Sequence, residues 1–249
     1  MNNSFSVVIP AYNEAQRLGH SVAEVLNYLE SLPEHSELIV VDDGSTDETA
    51  SVAAKCFEAA RQVSTRLIRL ERNRGKGFAV RAGLLAAEAP VALFSDADLS
   101  TPITETPKVL GPIRDGRADL VFGSRNCDRT LIGVHQPWRR EQSGRIFNLI
   151  VRLATRMPFR DTQCGFKAFR MASCRPIIKA ALIDRFGFDV ELLYLAHLAG
   201  LSLLEQAVRW DHNDGSKVGL LRDSWRMLTE VHTIRRNALT RRYDSVLHA

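Results

Sequence analysis

The chain has 249 residues, 45% of them hydrophobic and 25% charged, with a formal net charge of +4. That length and balance suit one α/β domain with a sizeable core and exclude a disordered or low-complexity chain. No run approaches the roughly 18 apolar residues that a membrane-spanning helix requires, and Phe5–Pro10 is too short for a secretory leader, so the expectation is a soluble or peripheral protein, cytoplasmic by default.

In chain order, Phe5–Pro10 reads as a short buried strand. Leu18, Val22, Val25, Leu26 and Leu29 follow at helical spacing. Leu38–Val41 predicts a second strand, and a helix is expected from about Glu48 to Gln62, capped by Thr46 or Asp47. Arg66–Leu70 reads as a third strand and Lys76–Glu88 as a third helix. Val91–Phe94 is a fourth strand that runs into Ser95-Asp96-Ala97-Asp98. Leu120–Phe122 predicts another strand, then a loop up to Gly144, a helix over 145–156 and a strand over 165–169. Helices are expected near 171–182 and 189–198, a late strand over 202–210 and a final helix over 220–236.

Strands alternating with helices predict a mainly parallel sheet with helices on both faces. Ligands of such sheets sit beyond the carboxyl ends of the strands. Those ends carry Pro10-Ala-Tyr-Asn-Glu14, Asp42-Asp-Gly-Ser45 and Asp96-Ala-Asp98, so three polar clusters converge on one edge.

Asp96 and Asp98 stand two apart in a turn. They suit either a polar cap for the next helix or oxygen ligation of Mg²⁺ or Mn²⁺ beside substrate phosphates. Asp42 and Asp43 pose the same choice: one can cap a helix, and the other can accept from a base or ribose. Asn73-Arg-Gly-Lys-Gly77 is either a glycine turn or a phosphate cradle at a helix start. The four cysteines, Cys56, Cys127, Cys164 and Cys174, show no metal-ligand spacing and read as reduced, mostly buried thiols. His135, His197 and His212 lack useful mutual spacing, and Trp138 reads as packing.

The order Val8-Ile-Pro-Ala-Tyr-Asn-Glu14, Val41-Asp-Asp-Gly-Ser-Thr-Asp47, Asn73–Gly77 and Asp96–Asp98 resembles the family-2 glycosyltransferases, which are inverting and have the GT-A fold. The resemblance covers nearly the whole chain. It implies one domain over 1–249, with a nucleotide-sugar half at 1–122 and an acceptor half at 123–249. By that resemblance Pro10, Tyr12 and Glu14 line the base and ribose pocket and Asp43 contacts the base. Asp42, Gly75, Lys76, Asp96 and Ala97 also meet the nucleotide sugar, and Asp98 is the direct ligand of Mg²⁺ or Mn²⁺.

Later segments narrow the resemblance. Gly123-Ser-Arg125, Trp138-Arg-Arg140 with Ser143, Asp161–Lys167, Phe188–Leu192 and Gly215-Ser-Lys217 look like the polyprenyl-phosphate branch, similar to dolichyl-phosphate glucose and mannose synthases. In that branch Arg125, Arg139, Ser143 and a basic residue near Lys217 grip the acceptor phosphate, while Asp161 and Gln163 face the sugar. Asp96, Asp98, Arg125, Asp161 and Gln163 are therefore the expected catalytic set. Ser100 stands where some mannose synthases carry a metal-binding glutamine, and the segments at 161–167 and 188–192 are closer to members using UDP-glucose than to those using GDP-mannose.

Arginine suits phosphate oxygens bidentately, and a phosphate monoester is already largely dianionic at neutral pH. A lipid phosphate thus needs no strong base. A sugar or protein hydroxyl acceptor would need one, from Asp161 or Glu191. An inactive nucleotide-sugar scaffold is a third reading, opposed by the intact Asp96/Asp98 pair, and nothing points to nucleic acid. Between Trp138 and Arg160 stand six arginines and one acid, Glu141. Apolar residues from Ile146 to Leu153 lie beside them, a pattern that fits a peripheral membrane surface, a core-facing stripe or contact with a second copy.

Overall fold

The computed structural model describes residues 4–134, 138–212 and 220–244. Its elements in order are β1 (Phe5–Ala11), α1 (Ala15–Glu30), β2 (Ser36–Asp42), α2 (Thr49–Phe57), β3 (Ser64–Arg69), α3 (Lys76–Ala86), β4 (Val91–Ser95), α4 (Thr106–Arg114), β5 (Leu120–Ser124), β6 (Ile132–Val134), α5 (Trp138–Thr155), β7 (Phe166–Arg170), α6 (Met171–Ala180), α7 (Phe188–Leu198), β8 (Leu203–Ala207), β9 (Trp210–Asp211) and α8 (Leu220–Leu239).

Seven strands form one sheet in the order β3-β2-β1-β4-β7-β5-β8. All run parallel except β7, which is antiparallel to both β4 and β5. The strands carry near-continuous apolar runs because helices cover both faces. Val8, Ile39, Val41, Phe94 and Phe122 point into one core, and Val7, Ile9, Leu38, Val40, Leu93 and Val121 into the other. This alternation is the period-two consequence of the extended backbone. Each fully buried side chain of this size contributes about 1.5–3 kcal/mol.

Pro10 is tolerated inside β1 because pairing with β4 ends at Val8↔Phe94. Its missing N–H therefore costs no ladder bond on that side. Beyond that point the β1 and β4 chains part. The strand order also reverses here, which makes the edge between them the place where α/β sheets take ligands.

Several boundaries differ from the sequence reading. The second helix stops at Phe57 instead of Gln62, where Glu30 accepts backbone N–H bonds from Arg61, Gln62 and Val63 and ends the segment as a turn. Residues 138–144, expected as loop, are the first two turns of α5. Helix α4 is not among the elements expected from sequence, and it carries Pro107, Gly111 and Pro112. Pro107 occupies the start, where no intrahelical N–H is lost. The late strand is split into β8 and β9, and β9 pairs with the unexpected β6. Among the described residues no helix is long and apolar enough to cross a membrane. All four cysteines are free, with Cys164 and Cys174 buried but Cys56 and Cys127 only half-buried.

Candidate active site

A cavity of about 340 Å³ opens at the edge between β1 and β4. Its wall is made by Pro10, Ala11, Tyr12, Glu14 and Arg17 after β1, Asp43 after β2, Asn73, Gly75, Lys76 and Ala79 at the start of α3, Asp96–Asp98 after β4, and Arg185 and Phe186 before α7. Eight residues expected at a nucleotide sugar, Pro10, Tyr12, Glu14, Asp43, Gly75, Lys76, Asp96 and Ala97, thus meet in one place with the expected metal ligand Asp98.

The loops after β1 and β2 are clipped together. Asn13 stands at φ 53°, a conformation asparagine tolerates better than most residues, and its Oδ1 accepts from Thr46 N at 2.9 Å. Glu14 N donates to Thr49 Oγ1 at 2.7 Å, and the Glu14 carboxylate is ion-paired with Arg17 one turn along α1. These bonds fix the Tyr12–Glu14 side of the cavity.

Asp42 and Asp43 point to opposite sides of the strand end. Asp43 accepts from Arg74 N at 2.7 Å and from Gly75 N at 2.8 Å, so it holds the turn that begins α3 at the cavity wall. Burial raises its carboxyl above the ordinary range, against the pull of those two N–H groups. Asp42 turns away from the cavity: it accepts from Ser45 N at 3.0 Å and lies 3.7 Å from Arg69 Nε. Its expected place at the nucleotide is corrected accordingly: Asp42 closes the turn after β2 and faces β3, while Asp43 is the member of the pair at the cavity wall.

Gly75 sits at φ +111° with Asp184 O only 2.4 Å from where a Cβ would stand, so only glycine brings α3 this close to the 182–186 loop. Lys76 follows directly, and its Nζ lies 2.6 Å from Asp96 Oδ1. Burial pushes the Asp96 carboxyl up, and the neighbouring Asp98 and Asp189 add to this while Lys76 opposes it. Burial works against the Lys76 ammonium, but Asp96, Asp189 and Asp98 together hold its pKa above the ordinary value. Beside Asp98, whose Oδ1 accepts from Ser100 N at 3.0 Å, Leu99 is held at φ 47°. A bulky residue in that region marks strain at a site the surroundings over-determine.

Residues 6–178 match the sequence profile of Glycosyl transferase family 2. The chain belongs to glycosyltransferase family 2.

The glycosyltransferase is 34% identical over 244 residues to a dolichyl-phosphate beta-glucosyltransferase of Dictyostelium discoideum, covering 94% of this chain and 74% of the relative. It is 39% identical over 224 residues to the Drosophila melanogaster protein of the same name, covering 86% and 68%. Glucosyl-3-phosphoglycerate synthase from Mycobacterium tuberculosis, solved with Mn²⁺, uridine-diphosphate-glucose and phosphoglyceric acid, superposes with a TM-score of 0.66 at 21% identity, over 94% of this chain and 80% of that one. That likeness concerns the fold, which is the GT-A arrangement expected from the sequence.

The Asp96/Asp98 turn of this glycosyltransferase suits a hard divalent cation. Two carboxylates supply oxygen donors, and Asp96 lies in a cradle floored by Gly165, whose backbone oxygen accepts from Asp96 N at 3.0 Å. Among the described residues no set of three His, Cys, Asp or Glu side chains gathers there. The arrangement fits an ion that completes its shell with water and substrate phosphate, as Mg²⁺ and Mn²⁺ do, and Asp98 with Asp96 would hold it.

In the second half of the chain, Arg125 and Asp161 form a bidentate pair, Nε to Oδ2 at 2.6 Å and Nη2 to Oδ1 at 2.8 Å. Asp161 is 0% exposed and also accepts from Arg125 N and Gln163 N. Burial alone would raise its pKa, but the Arg125 guanidinium and those N–H groups hold it below the ordinary carboxylate range. Asp161 therefore does not face a sugar; it positions Arg125, whose guanidinium also lies 5.5 Å from the Trp210 ring. Gln163 Nε2 is turned to Met227 of α8, 2.9 Å from its sulfur. Glu191 is equally unsuited to act as a base. It is 0% exposed, and its oxygens accept from Leu182 N, Ile183 N and Tyr243 Oη. Lys217 lies outside the described residues, as do the side chains of Arg139 and Ser143, whose backbone belongs to α5.

Arg17, Arg185 and Phe186 line the cavity and were not singled out in the sequence. Arg17 carried a local signal, a cation three residues after Glu14 on a helix start. Arg185 and Phe186 carried none. Lys167, 0% exposed, pairs with Asp189 at 2.6 Å and so joins the 161–167 and 188–192 segments behind Lys76 and Asp96.

Proposed function

We propose that the enzyme transfers glucose from UDP-glucose to a polyprenyl phosphate, with inversion at the anomeric carbon. The dolichyl-phosphate beta-glucosyltransferases at 34% and 39% identity support this donor sugar and acceptor. The observation that carries the acceptor class is the state of the two candidate bases. Asp161 and Glu191 are both fully buried with their oxygens taken by protein donors. A hydroxyl acceptor would need such a base, whereas a phosphate monoester attacks without one.

In this reading a phosphate oxygen of the lipid forms the bond to C1 of glucose while the C1–O bond to UDP breaks. The electron pair leaves on the diphosphate, and no net proton transfer is needed. Pro10, Tyr12, Glu14 and Asp43 wall the region for the base and ribose, and Lys76 and Arg185 bring positive charge to the nucleotide. Mg²⁺ or Mn²⁺ held by Asp98 would supply further neutralisation of the leaving diphosphate. Arg125, braced by Asp161, is oriented for the acceptor phosphate, which Arg139, Ser143 and Lys217 would also grip. Catalysis then rests on orientation and charge stabilisation, and the enzyme works peripherally at the cytoplasmic face of a membrane.

The test is incubation of the purified protein with radiolabelled UDP-glucose or GDP-mannose, Mg²⁺ and a short polyprenyl phosphate, followed by organic extraction. Label is expected in the organic phase from UDP-glucose only, and it should be lost with EDTA or with Asp98→Ala. Label from GDP-mannose alone would overturn the donor, and transfer only to a soluble hydroxyl would overturn the acceptor.

A further inference from the structure

A second cavity, also of about 340 Å³, lies outside the donor site between the loop after β5, helix α5 and the loop before β7. Its lining is Asn126, Arg129, Asn148, Leu149, Arg152 and Arg160. Three guanidinium-bearing residues face one space, and none of the lining residues is acidic. Among the acids whose side chains are described, those nearby have partners of their own: Asp128 accepts from Thr130, Glu205 accepts from Ser124 and from Arg160 N and Asp161 N, and Asp161 is paired with Arg125. Such a cavity is built for a compact anion with several oxygens, and phosphate is the oxyanion that arginine matches best.

The surface around it narrows the source of that phosphate. Along α5, Ile146, Leu149, Ile150 and Leu153 recur at helical spacing and are exposed, Leu153 by 75% and Ile146 by 60%. The opposite face of the helix is already seated, with Phe147 and Val151 buried in the core. The exposed stripe is therefore surplus to folding. Leu149 belongs both to this stripe and to the cavity wall, so apolar surface and cationic pocket are continuous. An apolar helical face edged by arginine complements the boundary between acyl chains and anionic headgroups.

We propose that the cavity walled by Arg152 and Arg160 is a docking site for the phosphate headgroup of an anionic phospholipid, with the Ile146–Leu153 stripe of α5 lying among the acyl chains. The site is separate from the donor cavity and takes a bilayer lipid, not the acceptor. It gives the peripheral membrane attachment in the proposed function a specific contact and rests on that part of the reading.

The test is co-sedimentation of the full chain with phosphatidylcholine vesicles, with and without phosphatidylglycerol. Arg152→Gln combined with Arg160→Gln is expected to weaken binding to the phosphatidylglycerol vesicles about tenfold or more and to leave binding to neutral vesicles unchanged. A charge-matched control, Arg61→Gln before β3 with Arg117→Gln before β5 (neither of them in the cavity wall), should have a much smaller effect. Leu149→Gln with Leu153→Gln should lower binding to both kinds of vesicle. Retained circular dichroism and UDP binding establish that the variants are folded. Equal loss in the two arginine pairs would reduce the effect to bulk charge and overturn the site. Two further results would overturn the phospholipid assignment: binding to neutral vesicles that depends on added polyprenyl phosphate and on Arg152 and Arg160, or saturation of the wild-type cavity by inorganic phosphate alone. None of these measurements requires glycosyl transfer. A failed transfer assay beside a positive vesicle result would thus strike the reaction and spare the site.

Discussion

The phenol of Tyr243 donates a 2.6 Å hydrogen bond to the carboxylate of Glu191, and both side chains are 0% exposed. The bond ties the segment after α8 to the start of α7. The same carboxylate accepts from Leu182 N and Ile183 N, and Glu230 of α8 accepts from Gly187 N at 2.6 Å. The 182–187 loop, which brings Arg185 and Phe186 to the donor cavity, is thus held at both ends by buried or half-buried carboxylates.

Tyr243→Phe removes one donor and leaves Glu191 short of a partner in the core. A loss of about 1–3 kcal/mol is expected, read as a fall in Tm of several degrees. The affinity for UDP should fall as well, because the loop that carries Arg185 loosens. An unchanged Tm would show that the bond contributes nothing.

Gly165→Ala tests the Asp96 cradle. A Cβ at Gly165 would stand 2.1 Å from Asp96 Oδ2, so the carboxylate must leave its position. Turnover is expected to fall by about a hundredfold or more, as misplacement by an ångström does elsewhere, with the fold retained. Gly111→Ala is the control: nothing lies within 4 Å of its Cβ, and in α4 the change should stabilise by roughly 0.5–1 kcal/mol.

Asp161→Asn should cost about 3 kcal/mol at neutral pH, the low end for breaking a buried pair because Arg125 keeps some exposure. The pH dependence has a definite sign. The folded pKa of Asp161 is depressed, so its contribution is present above the unfolded value of about 3.9. It is lost as pH falls through the lower folded value. The stability gap between wild type and variant is expected to be flat above about pH 5 and to close in acid, as denaturant titrations at several pH values would reveal. A gap that widened in acid would contradict the assignment.

Arg185→Ala is expected to raise the Kd for UDP about tenfold, the size of one hydrogen bond to a charged group, without altering Tm. Titration calorimetry separates this from a folding effect.

What could be read from the sequence follows from the range of the interactions involved. Strands β1, β2 and β4 and the Asp96–Asp98 turn announce themselves through local patterning, and their common edge follows from parallel-sheet geometry. The choice between Asp42 and Asp43 was left open by sequence, since either suits a cap; the strand's alternation decides it only once the direction of one side chain is known. Asp161 was misread as facing a sugar because its partner Arg125 lies 36 residues away in the chain. Arg185 and Phe186 were invisible because their placement depends on Gly75 meeting Asp184 O. Helix α4 was hidden by Pro107, tolerated at its start, and by Pro112, which the helix carries in its interior.

The reversed direction of β7 has a consequence for the order in which the enzyme can be assembled. Because β7 runs against β4, Ser95 pairs with Phe166, and the chain just before Phe166 supplies the floor beneath Asp96. A nascent chain that has emerged only through β5 already holds β1 to β4 and most of the donor wall. It cannot yet shape the Asp96 turn, since Gly165 has not been synthesised. Pairing at that sequence separation forms late and slowly. The Asp96 turn is thus completed only after Gly165 has emerged, later than strands β1 to β4, and a product terminated before Gly165 is left with most nucleotide-facing residues but an unfinished acidic turn.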